Sequence, residues 1–390
     1  MATETHGSER QGVLAARQSA GFRGAMIPSL ARPCRNRPLR LGKNGGGRLP
    51  LAFRQGRIAQ SPGPVMLYNL HSARQAGRSL WKKLSRQLLY LRMRGASEEE
   101  LRVAERRLRG HEQLRMLQRA DIAVVSIGKS GRTWLRVMLS RVYQTMYGLP
   151  ENALLGFDNF HSMNRAIPRI FFTHDNYIKD YSGHTDSKAD FYDTRVVMLA
   201  RDPRDVAVSQ FFQWKYRMKP EKIKLLRYPE RGSDISIYDF LMRPGGYLPQ
   251  VIEFMNLWAR ESDNIRDFFL LRYEDLRADT AGTLRRLLEF MGTPASEEQI
   301  RDAVEFSSYD NMKKMEQKKV FWLSGGRMKP ADRGNPDSYK VRRGKVGGYR
   351  DYFEDEQIEA IDRLVDETLS PYFGYGHREE AGAESSSGVQ

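Results

Sequence analysis

The sequence predicts an α/β fold of three layers, αβα, with a central and mostly parallel sheet. Two observations support this prediction: short apolar segments have the pattern of buried strands, and segments with helical periodicity lie between them. Apolar strands that alternate with helices form parallel sheets that are covered on both faces. The predicted strands span 122–127, 169–173, 195–200 and 268–273. The predicted helices include 203–218, 249–262, 280–291 and 296–305.

The 390-residue chain has a formal net charge of +16, which is unevenly distributed. Residues 1–120 contain 24 Lys and Arg against 7 Asp and Glu, whereas residues 121–390 contain 40 against 41. The basic character therefore belongs to the N-terminal third, and we expect no nucleic-acid partner for the rest of the chain. The single cysteine, Cys34, excludes an intrachain disulfide framework and a cysteine-rich metal site.

The first 65 residues lack a sustained hydrophobic period and are rich in Gly, Arg, Ala, Pro and Ser. We expect 1–65 to be a disordered basic extension and 379–390 to be a disordered tail. The sequence has no apolar run long enough to span a bilayer, and it lacks the hydrophobic region of a secretory signal. We therefore predict a cytoplasmic protein. Because the extension is acid-poor and Arg-rich, an organelle transit peptide within 1–65 is the alternative.

Residues 66–120 form a predicted basic helical segment. Ser97 and Glu100 have the spacing of a capping box, which predicts the start of its second helix. We expect the apolar stripe of the first helix to pack against the rest of the protein. The alternative is peripheral contact of 67–94 with an anionic membrane surface. The apolar stripe consists of Leu80, Trp81, Leu84, Leu88 and Leu91.

Residues with chemical function follow three of the four predicted strands. Lys129 follows the first strand, His174 the second and Arg201 the third. In parallel sheets, ligands bind at the carboxyl ends of strands. The loop around Lys129 contains two glycines and precedes a predicted helix, an arrangement that directs backbone N–H groups towards an anion. The sequence therefore predicts a phosphate or sulfate site at this edge of the sheet.

Gly128, Lys129 and Ser130 superficially match the end of the P-loop motif of nucleotide kinases. That motif needs a Gly five residues before Gly128, where this chain has Ala123 within the predicted strand. A kinase-like P-loop enzyme is therefore an alternative whose defining motif this sequence lacks. The other alternative is a basic protein that binds nucleic acid or membrane surfaces and has a non-catalytic nucleotide fold.

A different motif fits the same loop. Its sequence resembles the phosphosulfate loop of the sulfotransferases that use 3′-phosphoadenosine 5′-phosphosulfate (PAPS). That family usually has Pro before the Lys and Thr at the position of Arg132. The resemblance implies a P-loop-like loop that binds the phosphosulfate of the donor. The residues concerned are Lys129, Ser130, Gly131, Arg132, Thr133 and Trp134.

Two further segments resemble those that hold the 3′-phosphate in this family. R-D-P-R-D-V-A-V-S follows a predicted strand and contains Arg201 and Ser209. The Asp-Pro pair is typical of a helix start, so this guanidinium and hydroxyl are expected to converge on one phosphate. R-R-G-K-V-G-G-Y resembles a late basic glycine loop of the family, and it supplies Arg342, Arg343 and Gly344.

Weaker resemblances complete the predicted nucleotide site. L-R-Y-E-D-L contains Tyr273, and S-S-Y-D-N-M contains Ser307 and Tyr309. From their positions in the family's motifs, Trp134 and Tyr309 are expected to pack on adenine. Ser307 and Tyr273 are expected to offer hydrogen bonds. The matched motifs occur in the family's order across residues 122–353.

The candidate general base is His174. The segment P-R-I-F-F-T-H is similar to the family's P-R-x-x-K-T-H and places His174 at the end of the second predicted strand. Histidine suits this role because it titrates near working pH. Phe172 stands where many relatives have Lys, so this chain cannot use a Lys side chain at that position. His161 and His184 flank the same region but do not match the motif.

The resemblance implies in-line transfer of a sulfuryl group from PAPS to an acceptor hydroxyl, or to an amine. His174 would remove the proton of the acceptor, while Lys129 and the N–H groups of the loop would stabilise negative charge. No metal is expected. We predict that 121–378 is the sulfotransferase domain and that 150–168 and 218–248 shape the acceptor pocket. The sequence leaves the identity of the acceptor and the oligomeric state open.

Overall fold

Four parallel strands form a central sheet in the order β2-β1-β3-β4. They are β1 (Ile122–Val125), β2 (Ile170–Thr173), β3 (Arg195–Ala200) and β4 (Asp267–Arg272). Ile122 of β1 pairs with Ile170 and with Arg195, and Arg195 pairs with Asp267, so the strands start level. Their carboxyl ends therefore lie at one edge of the sheet, and the predicted strands and their parallel arrangement are confirmed.

The structure is a computed structural model that describes residues 77, 80–318, 320–321 and 328–376. The predicted extension 1–65 and the tail 379–390 lie outside the described residues. Within the described part, no helix is both long enough and apolar enough to cross a membrane. The helices are α1 (80–92), α2 (Glu98–Leu117), α3 (Arg132–Tyr147), α4 (Asn159–Met163), α5 (Ile178–Ser182), α6 (Pro203–Arg217), α7 (Pro220–Leu225), α8 (Ile237–Met242), α9 (Tyr247–Glu261), α10 (Tyr273–Ala278), α11 (Thr280–Phe290), α12 (Glu297–Phe306), α13 (Tyr309–Lys318) and α14 (Asp355–Thr368).

Helices cover the sheet on both faces, as the three-layer prediction requires. Alternate side chains of a strand point to opposite faces. Val124 and Leu199 belong to an apolar cluster that includes residues of α3, α11 and α12. Val125 and Met198 belong to a second cluster that includes residues of α6, α9 and α14. Because both faces are buried, the strands are continuously apolar and do not alternate with polar residues.

The starts of α6 and α2 follow from their capping residues. The side chain of Asp202 accepts a hydrogen bond from the N–H of Arg204, and Pro203 is the first residue of α6. This cap begins the helix directly after β3, so that Arg201 lies at the edge of the sheet. At α2, Ser97 and Glu100 form the predicted capping box.

The apolar stripe of α1 does not pack as expected. The periodicity correctly predicts a helix, but every residue of the apolar stripe is exposed. The expectation that the stripe packs against the rest of the protein is therefore wrong for the described residues. The polar side of α1 faces α2 instead, through ion pairs that the sequence pattern does not predict. The exposed residues are Leu80, Trp81, Leu84, Leu88 and Leu91.

Candidate active site

A cavity of about 1050 Å³ opens at the carboxyl ends of the strands, where the sequence predicts the ligand site. Lys129, His174 and Arg201, each of which follows a different strand, all line it. The fold thus brings together residues that are far apart in the chain. The other predicted site residues that line this cavity are Gly131, Arg132, Thr133, Trp134, Ser209, Tyr273, Ser307, Tyr309, Arg342, Arg343 and Gly344.

Ser130 is the predicted site residue that does not line the cavity. Its side chain is buried, and its hydroxyl donates a hydrogen bond to the carbonyl of Ile127 over 3.2 Å. This bond closes the loop between β1 and α3 on itself. The geometry therefore does not favour contact between the side chain of Ser130 and a ligand. Its backbone N–H belongs to the same turn.

The loop before α3 adopts a backbone that few residues tolerate. Lys129 has φ of 76°, in the left-handed region, and Gly131 has φ of 91°. A Cβ atom at Gly131 would lie 2.7 Å from the ring of Tyr273, so only glycine fits there. No side chain caps the N-terminus of α3, which begins at Arg132. Strained backbone is typical of ligand sites, and the N–H groups of a helix start bind anions.

Lys129 is held where its charge is costly. Its pKa is lowered to about 7, mainly by burial and also by the charges of Arg217, Arg342 and Arg201, while the charge of Glu316 acts in the opposite direction. A cluster of cations in a low-dielectric cavity is unfavourable without an anion. The electrostatics of this end of the cavity therefore favour a ligand with several negative charges.

Arg201 is fixed by several contacts at the edge of the sheet. Its guanidinium carbon lies 4.4 Å from the centre of the Tyr273 ring. It donates hydrogen bonds to Asp205 over 3.1 Å and to the carbonyl of Lys345 over 3.0 Å. It also contacts the carbonyl of Lys129 at 3.2 Å. One side chain therefore connects the phosphosulfate loop with the late glycine loop.

Asp205 is a functional residue that our sequence analysis did not single out. Its buried carboxylate accepts hydrogen bonds from the N–H groups of Gly347 over 3.0 Å and Tyr349 over 2.9 Å. It also accepts the bond from Arg201. Asp205 therefore anchors the late glycine loop against α6. The second Asp of the motif R-D-P-R-D was the signal that could have identified it.

Glu316 anchors the other end of the late loop. This fully buried carboxylate on α13 accepts hydrogen bonds from the N–H groups of Lys340 over 2.8 Å and Val341 over 2.9 Å. Arg217 lies 3.4 Å from it. Together these bonds hold the backbone just before Arg342. No sequence signal marked Glu316, because its partners lie 24 or more residues away from it in the chain.

Aromatic residues hold the glycine loop beside the predicted adenine site. The hydroxyl of Tyr309 donates to the carbonyl of Arg342 over 2.7 Å, and that of Tyr273 to the carbonyl of Gly344 over 3.4 Å. The indole N–H of Trp134 donates to the carbonyl of Ser307 over 2.9 Å. The hydroxyl of Ser307 donates within its own helix. These contacts engage the donor groups of all four side chains within the protein.

The ring of His174 is held through both nitrogens. Nδ1 lies 2.8 Å from the carbonyl of Ser126, which can only accept, so Nδ1 carries the proton. Nε2 lies 2.5 Å from a guanidinium nitrogen of Arg132, which can only donate, so Nε2 carries the lone pair. Burial lowers the pKa of His174 well below its ordinary value, and the charges of Arg132 and Lys222 lower it further. His174 is therefore a neutral acceptor at Nε2.

The position of the family's lysine is occupied differently. The guanidinium carbon of Arg136 lies 3.7 Å from the centre of the Phe172 ring. Arg136 also donates to the carbonyl of Leu155, so it is turned away from the strand end. Phe172 is not among the residues that line the cavity. The cations that face His174 are instead Arg132, Lys222 and Lys340.

Residues of 218–248 line part of the cavity, and the assignment of this segment to the acceptor pocket stays a prediction. Lys222 and Tyr228 are among these residues, and Tyr228 accepts a hydrogen bond from Gln210 over 2.9 Å. The described residues of 150–168 do not line the cavity, so the expectation for that segment is not supported. Among the residues that the structure describes, no cluster of His, Cys, Asp or Glu could hold a metal ion.

Comparison with known proteins identifies the class of protein. The model of the sulfotransferase domain family matches residues 119–373. The chain is 23% identical over 270 residues to sulfotransferase 2A1 of Mus musculus, which covers 66% of this chain and 87% of the relative. It is 26% identical over 279 residues to cytosolic sulfotransferase 13 of Arabidopsis thaliana, with 64% and 77% covered.

Among solved structures, mouse sulfotransferase SULT7A1 complexed with PAP matches with a TM-score of 0.43 and 20% identity, covering 66% of this chain and 89% of that chain. The chain belongs to the sulfotransferase family, because the family model matches well over half of it. The predicted enzyme class, a PAPS-dependent sulfotransferase, is thereby confirmed, and the kinase-like and non-catalytic alternatives are not favoured.

Proposed function

We propose that this sulfotransferase acts on an acceptor hydroxyl or amine with His174 as general base and Lys129 at the donor. The observation that carries the proposal is that Lys129, His174 and Arg201, which follow three different strands, line one cavity. The three cations Lys129, Arg201 and Arg342 are matched to the charges of a phosphosulfate and a 3′-phosphate.

The residues of the cavity fit the donor in two respects. The glycine at position 131 lets the loop pass close to the ring of Tyr273, next to the open N-terminus of α3. Burial and the neighbouring arginines lower the pKa of Lys129, and a bound polyanion would stabilise its charged form. We propose that the loop Lys129–Thr133 and Trp134 hold the 5′ end of the donor. Arg201, Ser209, Arg342, Arg343 and Gly344 would hold the 3′-phosphate, and Tyr273, Ser307 and Tyr309 would surround adenine.

In the proposed mechanism, PAPS supplies a sulfuryl group bound to a good leaving group. The lone pair of His174 at Nε2 accepts the proton of the acceptor hydroxyl as the oxygen attacks sulfur. The bond from Nδ1 to the carbonyl of Ser126 stabilises the imidazolium that forms. Lys129 and the N–H groups at the start of α3 stabilise charge on the departing phosphate. These residues act by positioning and electrostatics.

We expect adenosine 3′,5′-bisphosphate (PAP) to stabilise the protein far more than AMP or ATP does. A ligand at a concentration of about 100 times its Kd stabilises a protein by about 2.7 kcal/mol. AMP lacks the 3′-phosphate that Arg201 and Arg342 would bind, so at the same concentration it should stabilise the protein less than PAP does. The measurement is the melting temperature with each nucleotide. In the Arg201→Ala variant, the melting temperatures with PAP and with AMP should become nearly equal. Equal stabilisation of the unmodified protein by all three nucleotides would refute the 3′-phosphate assignment.

The organisation of the rest of the chain is part of the proposal. We propose that 121–378 is the catalytic domain, preceded by the helical segment 66–120 and the basic extension 1–65 and followed by the tail 379–390. The relatives from Arabidopsis thaliana are named cytosolic sulfotransferases. This supports a cytoplasmic site of action here. The alternative is a transit peptide within 1–65, and cell fractionation of the full chain would distinguish the two locations.

A further inference from the structure

Helix α1 turns its apolar stripe away from the protein and some of its cations towards it. The exposed fraction is 69% for Trp81 and 54% for Leu88. On the opposite side, Lys82 lies 3.4 Å and Arg86 3.7 Å from the carboxylate of Glu112 on α2. A helix on the surface of a globular protein normally buries its apolar side. Here the apolar side is open and the polar side makes the contacts.

A second acidic residue of α2 fixes this orientation. The hydroxyl of Tyr90 donates to Glu105 over 2.5 Å, and Arg86 lies 4.0 Å from the same carboxylate. Glu105 is buried and also accepts a hydrogen bond from Arg109. The outward direction of the apolar stripe is therefore specified by side-chain contacts.

The charges around the apolar stripe indicate what covers it. Lys83, Arg92 and Arg94 are exposed; helical geometry places Lys83 and Arg92 on opposite sides of the apolar stripe, and Arg94 follows the end of the helix. The sequence has no Asp or Glu between residues 10 and 97. A second copy of α1 would bring these cations against their equivalents and repel. An apolar centre with cationic borders and a Trp complements an anionic lipid surface.

We propose that α1 docks the enzyme on an anionic membrane surface, with the apolar stripe in the boundary between headgroups and acyl chains. At 80–92 the described helix is too short to span a bilayer, so it lies in the plane of the interface. The lipid-facing residues are Trp81, Leu84 and Leu88. Lys83, Arg92 and Arg94 contact the phosphate groups. Docking concentrates the enzyme at a surface without using any residue of the cavity.

The test is co-flotation of the full chain with vesicles of phosphatidylcholine alone and of phosphatidylcholine with phosphatidylserine. We expect binding to the anionic vesicles only, with a blue shift of tryptophan emission that the Trp81→Phe variant lacks. The double variant Leu84→Glu/Leu88→Glu should bind at least about tenfold more weakly, because it puts two carboxylates into the apolar stripe. The matched control is Val103→Glu, which changes an exposed apolar residue of α2 and should bind like the unmodified protein.

Each other outcome overturns the proposal. Absence of binding, or equal binding to neutral and anionic vesicles, rules out an anionic surface. Unchanged binding of the double variant assigns the affinity to the basic sequence before α1. If sedimentation shows a dimer that the double variant dissociates, and vesicles are not bound, then a second copy covers the apolar stripe. PAP-induced stabilisation of the double variant verifies that it is folded.

A second inference rests on Arg132, whose guanidinium contacts the base. Arg132 belongs to the phosphosulfate loop, yet it donates to Nε2 of His174 over 2.5 Å. Because Nδ1 is engaged with Ser126, Nε2 is the nitrogen available to take a proton from the acceptor. A guanidinium and an acceptor hydroxyl cannot both use this single lone pair.

We infer that Arg132 is a positioning residue that exchanges partners. It covers Nε2 of His174 when the loop holds no donor, and it moves to the phosphate at the 5′ end of the donor when one is bound. The inference rests on the proposed function, since it needs that phosphate at the loop. The exchange uncovers the base only in the presence of donor, so proton removal from the acceptor requires that the donor is bound.

The experiment observes the histidine rings by NMR in protein with ¹⁵N-labelled histidine, with and without PAP. The chain has seven histidines, and the His174→Gln variant identifies the signal of His174. Without PAP, we expect the Nε2 signal of the unmodified protein to differ from that of Arg132→Met. With PAP, most of this difference should disappear. Arg132→Lys should behave in between, and Arg115→Met, a change at an exposed arginine of α2, should match the unmodified protein.

Calorimetric titration of PAP on the same samples separates the two failures. If PAP binds and the difference between the unmodified protein and Arg132→Met persists, the exchange is refuted while the donor site stands. If the Nε2 signals of the two proteins already agree without PAP, Arg132 does not contact His174 in solution and the exchange is refuted. If PAP does not bind the unmodified protein at all, both the proposed function and this inference are wrong.

Discussion

Replacement of His174 by alanine is expected to reduce sulfuryl transfer by about a thousandfold, the size typical of a lost general base. PAP should bind at least as tightly as it does to the unmodified protein, because His174 contacts none of the residues proposed for the 3′-phosphate and its removal releases Arg132 from the contact with Nε2. The measurements are initial rates with radiolabelled PAPS, after a screen has found an acceptor, and calorimetric titration of PAP.

The matched control for this prediction is His161→Ala. His161 lies in the neighbouring segment, bonds through Nδ1 to the carbonyl of Ile167 over 2.7 Å, and is not among the residues that line the cavity. We expect this variant to retain its rate. If His161→Ala loses turnover and His174→Ala retains it, the base has been assigned to the wrong residue.

The second large effect is a pH dependence of donor affinity. Lys129 has a pKa of about 7 without ligand, so it is mostly neutral above that pH. A bound polyanion favours the charged lysine, and binding above pH 7 therefore takes up a proton. Linkage then lowers the affinity for PAP by up to about tenfold for each pH unit above 7. Below pH 7, Lys129 is already charged and its contribution to the slope disappears.

The Lys129→Arg variant isolates this effect. Arginine keeps its charge throughout the range, so we expect the slope above pH 7 to be lost. The cations next to Lys129, which are Arg201, Arg217 and Arg342, are already arginines. Calorimetric titrations in buffers of different ionisation enthalpy count the protons taken up. An unchanged slope in Lys129→Arg would assign the proton to another group, such as Lys222, whose pKa burial also lowers.

The sheet and the approximate site were predictable because their signals are local. Continuous apolar runs identify strands buried on both faces, and parallel order follows from the intervening helices. Once Lys129, His174 and Arg201 follow such strands, the common edge of the sheet is enough to bring them together. The Asp-Pro pair after β3 likewise predicted the start of α6 from a single cap.

Contacts between distant segments were not predictable. Asp205 meets Gly347 and Tyr349 more than 140 residues further along the chain, and no local pattern specifies such a partner. The sequence motif assigns Arg132 to the loop after β1 and does not predict its contact with His174. That contact depends on the pairing of β1 with β2, because the two residues follow these two strands. The orientation of α1 depends on Glu105 and Glu112, which the periodicity of α1 does not contain.

The anchoring of the late loop has a consequence for the kinetics of turnover. Side chains that line the cavity also hold the carbonyls of this loop: Arg201 holds that of Lys345, Tyr309 that of Arg342, and Tyr273 that of Gly344. In the proposed site these side chains would enclose the spent nucleotide, and these bonds would have to open before it could leave. Product release would then require the late glycine loop to open, a step that can be slower than the chemical step that precedes it.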